Sequence, residues 1–147
     1  MRLILCLFAL FMMPLPTADA CTMECDWPGP AAAAKRAKVA FVGTITKTTA
    51  SKRCAPRHPT WCTTSYSYEV TVEGMWKGTV DKTVVVSAGS GAGDCSNGPL
   101  ASKSVDGQRW LFFSENDALS IRLCSGTTRA TERAIAAVTK AVGAPST

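Results

Sequence analysis

The residues most able to do chemistry here are the cysteines. There are seven in a chain of 147 residues: Cys6, Cys21, Cys25, Cys54, Cys62, Cys95 and Cys124. A structural zinc site would need clustered ligands such as paired C-x-x-C motifs, and the spacings supply none. His58 is the only histidine, which excludes H-E-x-x-H and leaves little room for a serine or cysteine triad. Paired carboxylates would be the remaining route to acid–base catalysis. Asp94, Asp106, Glu115 and Asp117 all lie in hydrophilic, turn-like stretches where solvated loop carboxylates are the default reading. "AGSGAGDC", residues 88–95, has the glycines of a phosphate-binding loop, but no Lys-Ser/Thr follows and no helix pattern begins there. It reads as a flexible connection that delivers Cys95 to a partner. The chain is not expected to be an enzyme, and no cofactor or intrinsic metal is expected.

The first cysteine belongs to a different kind of segment. Residues 1–20 carry Arg2, an apolar run from Leu3 to Met13 and a small-x-small Ala18-Asp19-Ala20, the pattern of a cleaved secretion signal. Cleavage after Ala20 makes Cys21 the first mature residue. Acylation of that cysteine, as in lipoproteins, is the rival reading; Ala18 and Asp19 fit such a recognition sequence poorly. No later run is long and apolar enough for a spanning helix, so a secreted or periplasmic protein with no membrane contact after processing is expected. Six cysteines then remain, an even number that reads as three disulfides in an oxidising compartment. Cys54 and Cys62 are close enough to staple their own loop.

These cysteines need a scaffold, and its pattern is mostly strand. Residues 21–147 amount to one domain, expected to act as a monomer. "PAAAAKRAK", residues 30–38, reads as a short helix with Pro30 in its first turn. "VAFVGTITK", residues 39–47, is β-branched, with Gly43 where a bulge or sharp bend belongs. In "YSYEVTVEGMW", Tyr66, Tyr68, Val70 and Val72 face one side and Ser67, Glu69, Thr71 and Glu73 the other. "KTVVVSA", "QRWLFFS" and "LSIRLCS" give three more strands. The polar stretch 48–63 reads as a loop, and residues 129–143 as a closing helix whose apolar stripe is Ala134, Ile135, Val138, Ala141 and Val142. The fold class is therefore mainly β, a small five-stranded barrel with an N-terminal and a C-terminal helix. The formal charge of +5 is spread along the chain, apart from Lys35, Arg36 and Lys38, and Lys52, Arg53 and Arg57. Nucleic acid is not the expected partner.

Taken in order, Cys21-Thr22, "RAKVAFVGTITK", "YEVTVEGMWKG", Cys95 and "LSIRLCSGT" resemble the N-terminal domain of tissue inhibitors of metalloproteinases. The resemblance runs from Cys21 to about Thr127. It is strongest at Arg36-Ala37-Lys38 with Phe41-Val42-Gly43-Thr44, and at Tyr68-Glu69-Val70 with Trp76-Lys77-Gly78. It implies a netrin-like, OB-type barrel, disulfide-stapled, with Cys21–Cys95 and Cys25–Cys124 bonds pinning the N-terminal segment; Cys54–Cys62 would replace the family's third bond. Loops of roughly 75 to 100 residues make each long-range bond worth about 4 kcal/mol by chain entropy.

The resemblance also implies a function: inhibition of zinc metalloendopeptidases. A catalytic zinc keeps one open coordination position. The α-amino group and carbonyl of Cys21 can close a five-membered chelate on such a metal, and a disulfide on that residue removes much of the ordering cost. Thr22 matches the residue that enters the protease's specificity pocket, and Met23 continues the reactive edge. The metal is the target's. One departure is plain. Three residues, Thr22, Met23 and Glu24, separate the first two cysteines, where the family has one. Both spacings keep the cysteines on one face of an extended strand, but the anchors stand about 13 Å apart instead of about 7 Å. Two other functions stay open: a non-inhibitory netrin-like module holding an extracytoplasmic protein or a polyanionic partner, and an OB-type nucleic-acid binder, which would need exposed aromatics.

Overall fold

The computed structural model describes residues 28–88, 100, 105–121 and 125–146. Helix α1 (Pro30–Arg36) is followed by β1 (Val39–Ala55), β2 (His58–Lys77), β3 (Thr83–Ala88), β4 (Arg109–Ser114), β5 (Ser120–Ile121), β6 (Thr128–Arg129) and helix α2 (Glu132–Val142). The strands form one sheet in the order β5-β3-β2-β1-β4-β6. All neighbours are antiparallel except β3 and β5, which run parallel. The sheet curls, bringing β5 at one end towards β4 near the other.

The curl follows from how the two faces are filled. Phe41, Ile45, Tyr68, Val70, Val86, Trp110, Phe112 and Ile121 line the concave side in one buried cluster, where Phe41 and Phe112 stack with centroids 4.9 Å apart. On the convex side Ala40, Val42, Leu111 and Phe113 pack against Ala33, Ala34 and Ala37 of the α1 segment and Ala134 and Val138 of α2. The first half of β1 and β4 from Trp110 onwards are thus covered on both faces, which is why "VAFV" and "WLFF" are continuous apolar runs. Bulges between Val42 and Gly43 and between Ile45 and Lys47 let β1 bend round the core. Gly43 permits the first: a Cβ there would lie 2.6 Å from both the Thr71 carbonyl oxygen and Val70 Cγ1.

The helices end where their residues dictate. Pro30 sits in the first turn of α1, and Lys77 Nζ donates to the Ala34 and Lys35 carbonyls at its C-terminal end, at 3.2 and 2.9 Å. Thr131 caps α2 by accepting from the Ala134 N–H, and Gly143, at φ +99°, closes it. Among the described residues no helix is long and apolar enough to cross a membrane.

Three sequence expectations need correction. The C-terminal helix begins at Glu132, not 129, because Thr128–Arg129 form β6 against Leu111 and Trp110. That makes the sheet six-stranded rather than five-stranded. The largest change concerns residues 48–63. They are not a loop but the far half of the β1–β2 hairpin, paired from Thr48↔Tyr68 out to Cys54↔Cys62, with Pro56 and Arg57 at the turn. Threonines and serines, ambiguous as loop or strand by composition, pair readily across an antiparallel ladder.

Candidate functional site

Two regions can do something beyond holding the fold together. The first is the hairpin's outer part. β4 pairs with β1 only as far as Thr44, and β3 pairs with β2 only from Tyr66 onwards. From Ser51 to Ala55 and from His58 to Ser65 the two strands pair only with each other among the described residues, a ribbon reaching about 17 Å past the sheet at strand rise. The Cys54–Cys62 disulfide expected from spacing ties it close to its tip.

Cross-strand pairing assigns the ribbon's faces. Lys52, opposite Thr64, shares the side of Cys54 and Cys62, whereas Arg53, opposite Thr63, lies on the other. Arg57 occupies the turn, and Lys47 stands near the base opposite Glu69. All four cations are exposed. From residue 46 to residue 68 there is no Asp or Glu. Elsewhere charges interleave: Arg109 Nε contacts Glu73 at 2.6 Å and Lys38 Nζ contacts Asp117 at 3.4 Å. The ribbon's root is fastened by Thr48 Oγ1 donating to Asp106 Oδ1 at 2.5 Å, and by the buried Tyr68 hydroxyl donating to the Leu100 carbonyl at 2.8 Å. Burial and then the neighbouring Tyr66 push the Tyr68 phenol up to about 12.

The second region is where the N-terminal segment enters the fold. Pro28 and Ala33 press on Gly126: a Cβ on that glycine would lie 2.5 Å from Ala33 Cβ and 3.5 Å from the Pro28 carbonyl oxygen. The Gly126 segment is held in turn to β4, because Thr127, fully buried, accepts at Oγ1 from the Phe113 N–H at 3.3 Å and from Ser125 Oγ at 3.0 Å. The chain just after Cys25 and the chain just after Cys124 are therefore fixed side by side.

The reactive-edge residues Cys21, Thr22 and Met23 lie outside the described residues, as do Cys25, Cys95, Cys124 and most of the glycine-rich stretch 88–95. Of the sequence-derived site residues only Cys54 and Cys62 are placed, and they are bonded to each other. Of the described strand aromatics, Trp110, Phe112 and Phe113 are buried and Trp76, partly buried, donates from Nε1 to Thr139 Oγ1, so these four do not line an exposed nucleic-acid groove. The ribbon is what sequence reasoning missed, although Lys52, Arg53 and Arg57 already stood out as a cluster. The threonines and serines at 48, 49, 51, 63, 64, 65 and 67, flanking the two cysteines on either side, were the available signal.

Neither the models of known protein families nor the curated proteins contain a match to this chain.

Proposed function

We propose that the chain is an exported inhibitor of zinc metalloendopeptidases, presenting the free N-terminus of Cys21 to the target's metal from a netrin-like, OB-type barrel. The observation that carries this reading is the juxtaposition of Pro28 with Gly126. Cys25 precedes Pro28 by three residues and Cys124 precedes Gly126 by two, spans of at most about 10 Å and 7 Å of chain. A disulfide needs its Cα atoms only about 5.5–6 Å apart, so a Cys25–Cys124 bond is within reach without any rearrangement of the described core. Strand order supports the barrel: five strands surround one apolar cluster with β5 approaching β4, and the two-residue β6 is an addition outside β4.

Chelation requires a neutral, unblocked amine. One alanine added before Cys21 should abolish inhibition across a panel of zinc endopeptidases while leaving the melting transition within about 1 °C of the native protein. Thr22→Gly should instead change which proteases are bound. Inhibition should weaken as pH falls below the amine's ordinary range, roughly 7.7 to 8.0, because protons compete with the metal. Equal potency of native and extended proteins refutes the mechanism.

A second reading is favoured by one observation, the acid-free cationic ribbon. On this reading the barrel is a non-inhibitory module that carries the ribbon to a polyanionic partner outside the cytoplasm. Blocking the N-terminus would then change nothing.

A further inference from the structure

We propose that the β1–β2 ribbon is an electrostatic docking arm for an anionic phospholipid surface, with Lys52, Arg53 and Arg57 as its contact residues. The inference rests on the polyanion binding of the second reading and names its partner; it is independent of whether the N-terminus inhibits a protease.

The first ground is charge. Cations on a free sheet edge commonly guard against pairing with another chain, and one or two would serve that purpose. Here the cations occupy both faces and the turn of a projecting ribbon, and residues 46–68 contain no acid to neutralise them. Among the described residues the acids near the arm sit at its root, where Glu69 stands opposite Lys47 and Asp106 accepts a hydrogen bond from the Thr48 hydroxyl. Among the described residues the charges at the tip are all positive.

The second ground is what accompanies the charge. The hydrogen-bond donors among the described side chains of the outer ribbon are small hydroxyls and cations, exposed or half-buried: Ser51, Lys52, Arg53, Thr60, Thr63 and Thr64. Hydroxyl and cationic donors side by side suit phosphate oxygens. Because the cations lie on opposite faces and at the tip rather than along one side, they can all come within a Debye length of a flat, diffusely charged surface when the ribbon approaches end-on. A duplex groove would engage one face preferentially and leave either Lys52 or Arg53 pointing away.

Each basic residue held near an anionic leaflet is worth about 1 kcal/mol, or fivefold in partition coefficient. Replacing three should therefore weaken binding roughly 100-fold. The test uses the exported protein purified from its host and vesicles of phosphatidylcholine containing phosphatidylglycerol, with co-sedimentation as the readout. The ribbon variant K52S/R53S/R57S is compared with K82Q/R133Q/K140Q, which removes equal charge from exposed positions off the ribbon, and circular dichroism melting checks that both remain folded. The ribbon variant should lose about two orders of magnitude, the other variant under fivefold, and raised salt should release the native protein. Equal losses in the two variants overturn the proposal. Ribbon-dependent binding to a short DNA duplex with none to vesicles also overturns it while leaving the polyanion reading standing. Binding to neither probe overturns both.

Discussion

Replacing Gly43 with alanine tests whether the curl of the sheet rests on the bulge that this residue permits. A Cβ at position 43 would stand 2.6 Å from the Thr71 carbonyl oxygen, 2.6 Å from Val70 Cγ1 and 3.3 Å from the Thr71 carbonyl carbon. Optimal heavy-atom contacts lie near 3.5–4.0 Å, so the strands must separate by about 1 Å. Neither neighbour can yield easily. Val70 is fully buried in the concave cluster, and Thr71 is pinned between Thr44 on β1 and Thr83 on β3. Overpacking of this kind costs about 1–3 kcal/mol, and two rigid contacts at once place it near the upper end. For a domain of this size, about 3 kcal/mol corresponds to a fall of roughly 10 °C in Tm. Gly29→Ala is the comparison, since a Cβ there meets nothing within 4 Å and should change stability by less than about 1 kcal/mol. Urea unfolding at 25 °C, followed by circular dichroism, reads both. If Gly43→Ala is as stable as Gly29→Ala, the bulge tolerates a side chain and the packing argument for the curl fails.

Tyr68 and the ribbon disulfide give further tests. The raised Tyr68 phenol, pushed up to about 12 by burial and then by Tyr66, contributes stability that is complete below pH 10, the ordinary phenol value, and is lost as pH rises from 10 to 12. Tyr68→Phe should remove the late component of the 295 nm phenolate titration and, by orphaning the Leu100 carbonyl, cost about 1–3 kcal/mol at neutral pH. A titration curve unchanged by the substitution would contradict the burial assignment. Replacing both Cys54 and Cys62 with serine frees a short local loop worth about 2.5 kcal/mol by chain entropy. Because this loop lies at the tip of the ribbon, amide exchange should accelerate within 49–65 while the core strands keep their protection. Uniform acceleration throughout the sheet would mean that the ribbon is integral to the core.

How much of this was legible in the sequence depended on whether a residue's neighbours were local. Alternation in 66–76 identified the buried face of β2: Tyr68 and Val70 are fully buried and Tyr66 and Val72 pack on the same cluster. The apolar stripe of α2 and its stop at Gly143 were equally readable. Strand β6 was not, because two residues have no period; the buried Thr127 just before them accepts from the Phe113 N–H and holds the segment against β4. The outer hairpin was misread for a related reason. Its prolines and hydroxyls suggested a loop, while the information that keeps it extended lies across the ladder, in pairings such as Ser51↔Ser65 and Cys54↔Cys62. For the candidate site, cysteine spacing identified the Cys54–Cys62 bond, and charge counting flagged the cations without showing that they share an arm.

The two regions are joined mechanically through β1 and β4. The first half of β1 is clamped between the concave core and the helices, and β4, paired with it from Val39 to Thr44, carries the Thr127 contact that fixes the segment after Cys124. The same β1 strand continues beyond its last β4 partner as one edge of the cationic ribbon. A rigid strand therefore runs from the place where the N-terminal segment enters to the arm that would meet a membrane. If both proposals hold, an arm held at the surface confines the inhibitor's N-terminus to targets within reach of that surface, raising their effective concentration without any further contact. The combination is separable by experiment: the ribbon variant should keep its potency against a protease free in solution, and lose it selectively against the same protease tethered to anionic vesicles. An equal loss in both settings would mean that the ribbon contacts the protease itself.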